Sequence, residues 1–186
     1  MPVLCTRRRW WLILGLLASL VASLSACGAD RVETVAREQA LDRLQDNLTE
    51  TVTCLNSVAP QFDPALGQEA LADVLAPCAD VSILNRDDDY ILSDRVELPA
   101  GAESIAVAGT FSDERVRLQL VAQGSALAEA GVASARVQLV TCWGVAVDTE
   151  AGRLEDYTGV ACKGSVLERI NPVEEVTFSD LHIPGV

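Results

Sequence analysis

The fold is decided by the stretch RVETVAREQALDRLQDNLTETVTCLNS, residues 31–57. Its apolar side chains recur mostly at three- and four-residue intervals, which is the spacing of one face of an α-helix. They are Val32, Val35, Ala36, Ala40, Leu41, Leu44, Leu48, Val52 and Leu55. The stretch therefore predicts one long amphipathic helix whose apolar stripe faces the core. Asp30 and Glu33 suit a capping box at its start, and Pro60 helps to stop it.

A second, shorter helix is predicted directly after this one. Asp63 suits the N-cap and Pro64 the first helical position, while Pro77 ends the pattern. Its apolar face would consist of Leu66, Ala70, Leu71, Val74 and Leu75. The two helices would form a hairpin in the N-terminal third of the domain.

After Asp80 the pattern changes from helical spacing to alternation, which is typical of half-buried strands. The candidate strands are residues 81–84, 90–98, 104–111, 115–122, 135–148, 154–162 and 175–178, with a turn at 150–152 between the fifth and sixth. Residues 124–133 are rich in alanine and are assigned to one or two helical turns or a loose loop. The order of helices, then strands, predicts an α+β fold: an N-terminal helical hairpin packed on one face of an antiparallel β-sheet.

Ahead of the first helix lies a segment with the pattern of an export signal. Arginines at positions 7–9 supply a positive region, residues 10–24 supply an uncharged core, and Leu24-Ser25-Ala26-Cys27 follows. This arrangement resembles the signal peptide and lipobox of a bacterial lipoprotein precursor. The resemblance implies cleavage before Cys27, diacylglycerol on its sulfur and acylation of the new N-terminus.

The resemblance extends over about the first 28 residues and predicts three segments. Residues 1–26 would be the removed signal peptide, 27–30 a short lipidated tether, and 31–186 a single globular α+β domain. Two or three acyl chains hold a protein firmly on a bilayer. We therefore expect a palmitate-carrying protein on the extracytoplasmic face of a bacterial cell membrane; which membrane, if the host has two, stays open.

The same residues also fit two other interpretations. One is an ordinary secretory signal cut near Ala26, and the other is an uncleaved membrane anchor. The uncharged core at 10–24 is shorter than the roughly 20 apolar residues that a helical span usually needs.

Four cysteines would remain in the domain once Cys5 leaves with the signal and Cys27 carries lipid. They are Cys54, Cys78, Cys142 and Cys162. An even number in an exported chain predicts two disulfides, and four cysteines can pair in three ways. We favour Cys54–Cys78 and Cys142–Cys162, because each pair flanks a compact local unit. Trp143 follows Cys142 directly, and we expect its ring to pack on that disulfide.

The charge of the chain restricts its partners. It has 27 acidic and 14 basic residues, and the mature part, without the three leader arginines, would carry a formal net charge of −16. This charge argues against nucleic acid, whose phosphates require a basic face, and against broad contact with anionic lipid. It favours cationic proteins, cationic small molecules or divalent metal ions, of unknown identity. The acidity also has a simpler explanation, since it keeps an exported protein soluble.

Catalytic motifs are absent from the sequence, and we assign no catalytic residue. His182 is the single histidine, and there is neither a Gly-x-Ser-x-Gly elbow nor a Ser-x-x-Lys motif. Asp87-Asp88-Asp89 offers oxygen ligands of the kind that calcium prefers, but Arg86 would oppose a cation and the pattern lacks the glycine and distal glutamate of an EF-hand. We expect a solvated acidic turn and assign no metal or cofactor; cation binding there stays open.

Two hypotheses about function follow. The first is a non-enzymatic, membrane-anchored lipoprotein that acts as a binding or accessory module of the cell envelope. The second is a hydrolase of envelope material that uses paired carboxylates, because 27 acidic residues form too many pairs for sequence alone to exclude one.

Overall fold

A computed structural model describes residues 7–63, 65, 67–99, 103–112, 115–172 and 174–183, with the backbone alone over 7–29 and at 68. The helices are α1 (Arg7–Val58), α2 (Gly67–Leu75), α3 (Asp88–Leu92) and α4 (Gly164–Ile170), and short 3-10 turns cover Ala59–Gln61 and Phe178–Asp180. The strands are β1 (Ile105–Ser112), β2 (Arg115–Ala130), β3 (Ala133–Asp148), β4 (Arg153–Gly159) and β5 (Glu174–Glu175). The predicted α+β class, with a helical N-terminal region on a sheet, is confirmed.

The predicted amphipathic stripe of α1 is confirmed over the part whose side chains are described. Its buried members are Val32, Ala36, Ala40, Leu44, Leu48, Val52 and Leu55. Val35 departs from the stripe and is 38% exposed. The predicted capping box does not form, because α1 passes through Asp30 instead of beginning there. A cap serves only the unpaired amides of a first turn, and here the Asp30 carbonyl accepts from Thr34 Oγ1 at 2.9 Å.

The second helix is present but begins later than predicted. Asp63 Oδ1 accepts from the amide of Ala65 at 2.8 Å, which makes a local turn, and α2 starts at Gly67. Pro64 and Leu66 lie outside the described residues. Leu71 and Leu75 are buried against α1 and the sheet, as the pattern indicated.

Both favoured disulfides are confirmed. Cys54–Cys78 joins α1 to the end of the α2 region, and Cys142–Cys162 joins β3 to the segment after β4. The Cα atoms of the two pairs lie 5.4 and 5.2 Å apart. Loops of this size let each bond stabilise the fold by about 3 kcal/mol in the chain-entropy model.

The sheet is mixed, with the order β1-β2-β3-β4 and β5 placed on β3. The first four strands are antiparallel to their neighbours, whereas β5 pairs with β3 in parallel. The prediction of a purely antiparallel sheet is therefore wrong at β5. An ion pair ties β5 to α1, since Arg37 Nε and Nη2 donate to the two carboxylate oxygens of Glu174 at 2.8 and 2.6 Å.

The β2–β3 hairpin is longer than the sequence indicated. Residues 124–133 are not helical: they complete β2, the turn at Gly131 (φ +63°) and the first residue of β3. Ala130 pairs with Ala133 at the tip. Alanine has little preference for strands, but Ala126 and Ala128 are buried in the core that includes the α1 stripe. Tertiary packing against α1 therefore overrides local preference here.

Two other candidate strands are wrong. Residues 81–84 belong to a turn, and residues 90–98 begin in α3 and continue as a bend and irregular chain. Asp87 starts α3, because its carboxylate accepts from the amide of Tyr90 at 2.8 Å. The candidate strand at 175–178 is reduced to β5 and a 3-10 turn.

The sheet is covered on both faces, contrary to the one-sided arrangement predicted. The larger core lies between α1, α2 and one face. The smaller core lies on the opposite face and consists of Ile83, Ile91, Val96, Ile105, Val107, Val121, Val140, Cys142 and Val166. Apolar residues before and within α3, misread as strands, thus form a second layer together with α4. Over the part of the chain whose side chains are described, none of the helices could span a membrane.

The sheet approaches α1 very closely at Gly124 of β2. A Cβ atom on this residue would stand 2.2 Å from the carbonyl oxygen of Ala40 and 2.6 Å from the amide nitrogen of Leu44. Both are backbone atoms and cannot rotate away. Glycine is therefore required for the helix to lie this near the strand.

We expect Gly124→Ala to destabilise the protein by about 1–3 kcal/mol, because the added methyl group must push α1 off the sheet. Chemical denaturation followed by circular dichroism measures the change. Gly164→Ala is the matched control, since a Cβ at Gly164 meets nothing within 4 Å. Equal denaturation midpoints for the two variants would contradict the close-contact interpretation.

Candidate functional site

A groove of about 450 Å³ lies beside the Cys54–Cys78 disulfide, between α1, the turn after α2 and the start of β1. Three carboxylate residues line it: Glu50, Asp80 and Glu103. None of its described lining residues is basic. We call it the acidic groove.

The walls of the acidic groove are fixed by covalent and backbone bonds. Asn47, Thr51 and Cys54 lie three and four residues apart, so they share one face of α1. The disulfide joins this face to Cys78. Two backbone hydrogen bonds hold Asp80 in place. The Asp80 amide donates to the Ser104 carbonyl, and the Ala106 amide donates to the Asp80 carbonyl, each at 2.8 Å.

The floor of the groove is a buried polar network of Asn47, Thr51 and Ser104. The hydroxyl oxygens of Thr51 and Ser104 lie 2.6 Å apart. Thr51 Oγ1 is 2.7 Å from the Asn47 carbonyl and 3.3 Å from Asn47 Oδ1, and Ser104 Oγ is 3.2 Å from the same Oδ1. Asn47 Nδ2 donates to the Gln123 carbonyl at 3.0 Å.

This network has more acceptors than donors. Each hydroxyl has one proton, so Thr51 and Ser104 together supply two protons for four short contacts. Some oxygen lone pairs of Asn47, Thr51 and Ser104 therefore accept no hydrogen bond within this network, and carboxylates line the groove above them. Such a site is suited to a cation that donates hydrogen bonds, such as an ammonium or guanidinium group.

The groove carboxylates do not converge as metal ligands would. Within the described residues, no group of three or more histidine, cysteine, aspartate or glutamate side chains is placed to hold a metal ion. Asp80 Oδ1 already accepts from the amide of Ser82 at 2.9 Å. The acidic groove therefore offers a spread of negative charge with buried acceptors below it.

The Asp87-Asp88-Asp89 cluster forms the exposed N-cap and first turn of α3, and Asp88 connects this turn to the start of α4. Asp87 accepts from the amide of Tyr90, as described for the start of α3. Asp88 Oδ1 accepts from Ser165 Oγ at 2.8 Å and from Lys163 Nζ at 3.0 Å. Because these donors favour the charged form, led by Lys163, the pKa of Asp88 lies below its usual value.

Trp143 does not pack on the Cys142–Cys162 disulfide, so that expectation is wrong. Its ring is fully buried in the larger core and stacks on Tyr157 and Phe178, with centroids 6.4 and 5.9 Å away. Cys142 belongs to the smaller core on the opposite face. Adjacent residues of a strand point to opposite faces, which separates these two side chains.

Two other residues singled out from the sequence, Cys27 and His182, lie away from the acidic groove or outside the described side chains. Cys27, the predicted lipid attachment site, lies outside the residues whose side chains are described. His182 is exposed near the end of the described chain. Sequence reasoning missed the polar floor of the acidic groove. Its one signal was the pair Asn47 and Thr51, a polar i, i+4 pair beside the apolar stripe, but nothing in the sequence places Ser104 next to them.

Comparisons with protein-family models, with curated proteins and with solved structures gave no significant match to this chain.

Replacing Lys163 with Met should raise the pKa of Asp88 toward its usual value, because the leading donor is lost. A carboxyl whose pKa is lowered in the folded state contributes stability above its unfolded pKa, and this contribution is lost as the pH falls through the folded value. NMR titration of the side-chain carboxyl carbons measures the pKa directly. Lys163→Arg is the control that retains a cation; an equal pKa in both variants would contradict the assigned cause.

Proposed function

We propose that this protein is a lipid-anchored, extracytoplasmic module of the bacterial cell envelope that binds a cationic ligand in the acidic groove. The observation that carries the ligand class is the groove itself: Glu50, Asp80 and Glu103 surround a buried, acceptor-rich floor, and no described lining residue is basic.

The two disulfides support an extracytoplasmic location. Disulfides persist in oxidising environments outside the cytosol and are rare inside it. Two such bonds, each with ordinary Cα separation, agree with an exported chain. The lipobox-like Leu24-Ser25-Ala26-Cys27 supplies the mode of attachment, because an acylated Cys27 needs no membrane-spanning helix.

The class of ligand follows from the charge distribution. Four of the described basic residues form ion pairs: Lys163 with Asp88, Arg37 with Glu174, and Arg115 and Arg153 with acidic residues of β4. The excess of acidic residues therefore leaves a negative field that draws cations toward the surface and the groove. A basic segment of an envelope protein or a small organic amine fits this field, whereas nucleic acid does not.

Cys27→Ala should abolish incorporation of a clickable palmitate analogue in a bacterial host that processes lipoproteins. Cys5→Ala is the matched control, because it removes a cysteine from the same leader but leaves the proposed acylation site intact. Gel fluorescence after labelling measures the outcome. Label that persists in Cys27→Ala would refute the anchor.

Glu50→Gln combined with Glu103→Gln should weaken binding of spermidine, used as a cationic probe, roughly threefold to tenfold, since each exposed charge pair contributes only modestly. Titration calorimetry at low salt measures the affinity, and binding should weaken further as salt is added. Glu33→Gln with Glu38→Gln, two exposed positions of α1 away from the groove, is the control. An equal loss in both double variants would mean that only net charge matters.

A further inference from the structure

The tip of the β2–β3 hairpin exposes apolar side chains. Val132, in the turn between the strands, is fully exposed, and Leu127 of β2 is 57% exposed. The tip itself, Ala130-Gly131-Val132-Ala133, contains no charged residue. Among the described residues, Val132 and Leu127 are the two most exposed large apolar side chains, so the tip is suited to an apolar contact.

This tip lies at the same end of the domain as Asp30, the first residue of α1 whose side chain is described. The helix and β2 run in opposite directions, because Asn47 contacts Gln123 while Arg43 Nη1 donates to the carbonyl of Ser125 at 2.6 Å. From Ser125 to Gly131, six strand residues advance about 20 Å. From Arg43 back to Asp30, thirteen helical residues also advance about 20 Å. The tip is therefore level with Asp30.

The predicted tether is too short to hold this end far from a membrane. Cys27 and Asp30 are three residues apart, and three residues at full extension span at most about 11 Å. The interfacial region of one leaflet is itself about 5–8 Å thick. With lipid on Cys27, whatever lies level with Asp30 can stand at most about 3–6 Å beyond the headgroups, within reach of an exposed side chain.

The charges that flank the tip permit shallow contact. Glu129 and Arg136 are the nearest charged residues of the hairpin, on opposite strands and of opposite sign. Long arginine side chains reach back to headgroups while their stems stay in apolar surroundings. Glu129 opposes deep insertion. The contact is therefore confined to the interface, in agreement with an acidic domain that avoids broad contact with anionic lipid.

We infer that the tip of the β2–β3 hairpin docks on the lipid bilayer, with Val132 inserted among the headgroups as a second, non-covalent contact beside the acyl chains of Cys27. This inference rests on the proposed lipid anchor. The docked tip orients the domain, because two contacts at one end hold α1 and the hairpin upright on the membrane.

A single introduced thiol tests the contact. In the mature lipidated protein Cys27 carries lipid and the other four cysteines form disulfides, so Val132→Cys provides one reactive site for the environment-sensitive dye NBD. The protein is reconstituted in vesicles of phosphatidylcholine and phosphatidylglycerol, with or without doxyl-labelled lipid. Glu150→Cys is the matched control: it lies in the exposed turn at the opposite end of β3. Intact mass confirms lipid and disulfides in each sample.

We expect the dye at position 132 to shift to shorter wavelength on reconstitution and to lose fluorescence to doxyl lipid, while the dye at position 150 does neither. If the mass shows lipid on Cys27 but the dye at 132 stays water-like, the docking inference is overturned and the anchor stands. Equal quenching at both positions also overturns it, because the tip would not be the contact. If Cys27 carries no lipid, the proposed anchor fails and the docking inference fails with it.

Discussion

The close packing of α1 on the β2–β3 hairpin is the contact on which the other features of the fold depend. At Gly124 the strand backbone touches the helix backbone at Ala40 and Leu44, and no side chain fits between them. Ala126 and Ala128 extend the same core toward the hairpin tip. Interiors are packed to crystal density, so this contact fixes both the distance and the direction of the hairpin along the helix. The direction in turn sets which residues meet at each end.

One helix therefore connects two regions of different chemistry. Asp30 marks the end that the predicted tether holds at the membrane, and Asn47 begins the face of α1 that lines the acidic groove. Seventeen helical residues separate them, which is about 25 Å along the axis. A cationic ligand in the groove would therefore be held well clear of the bilayer. The Cys54–Cys78 bond makes that end rigid, since it ties α1 to the α2 region at the groove wall.

The features that sequence reasoning identified correctly are those carried by local patterns. The stripe of α1 repeats with helical spacing, and the alternation at Val116, Leu118 and Leu120 appears in β2 with all three side chains buried. The predictions were wrong where contacts with distant parts of the chain determine the local structure. The alanine-rich residues 124–133 form strand because α1 covers them, and residues 83–96 form a second layer because the sheet has an opposite face to cover.

The sequence by itself determined the α+β class, the main helix and the acidity, and it favoured the two disulfide pairs that the structure contains. Each depends on residue type and spacing along the chain, which a linear pattern records. Only the tertiary structure decided that β5 is parallel, that Trp143 faces away from its neighbouring cysteine, and that Ser104 meets Asn47 and Thr51 under the acidic groove. These depend on contacts between residues tens of positions apart, and the sequence pattern carries no information on which of many such contacts the packed core selects.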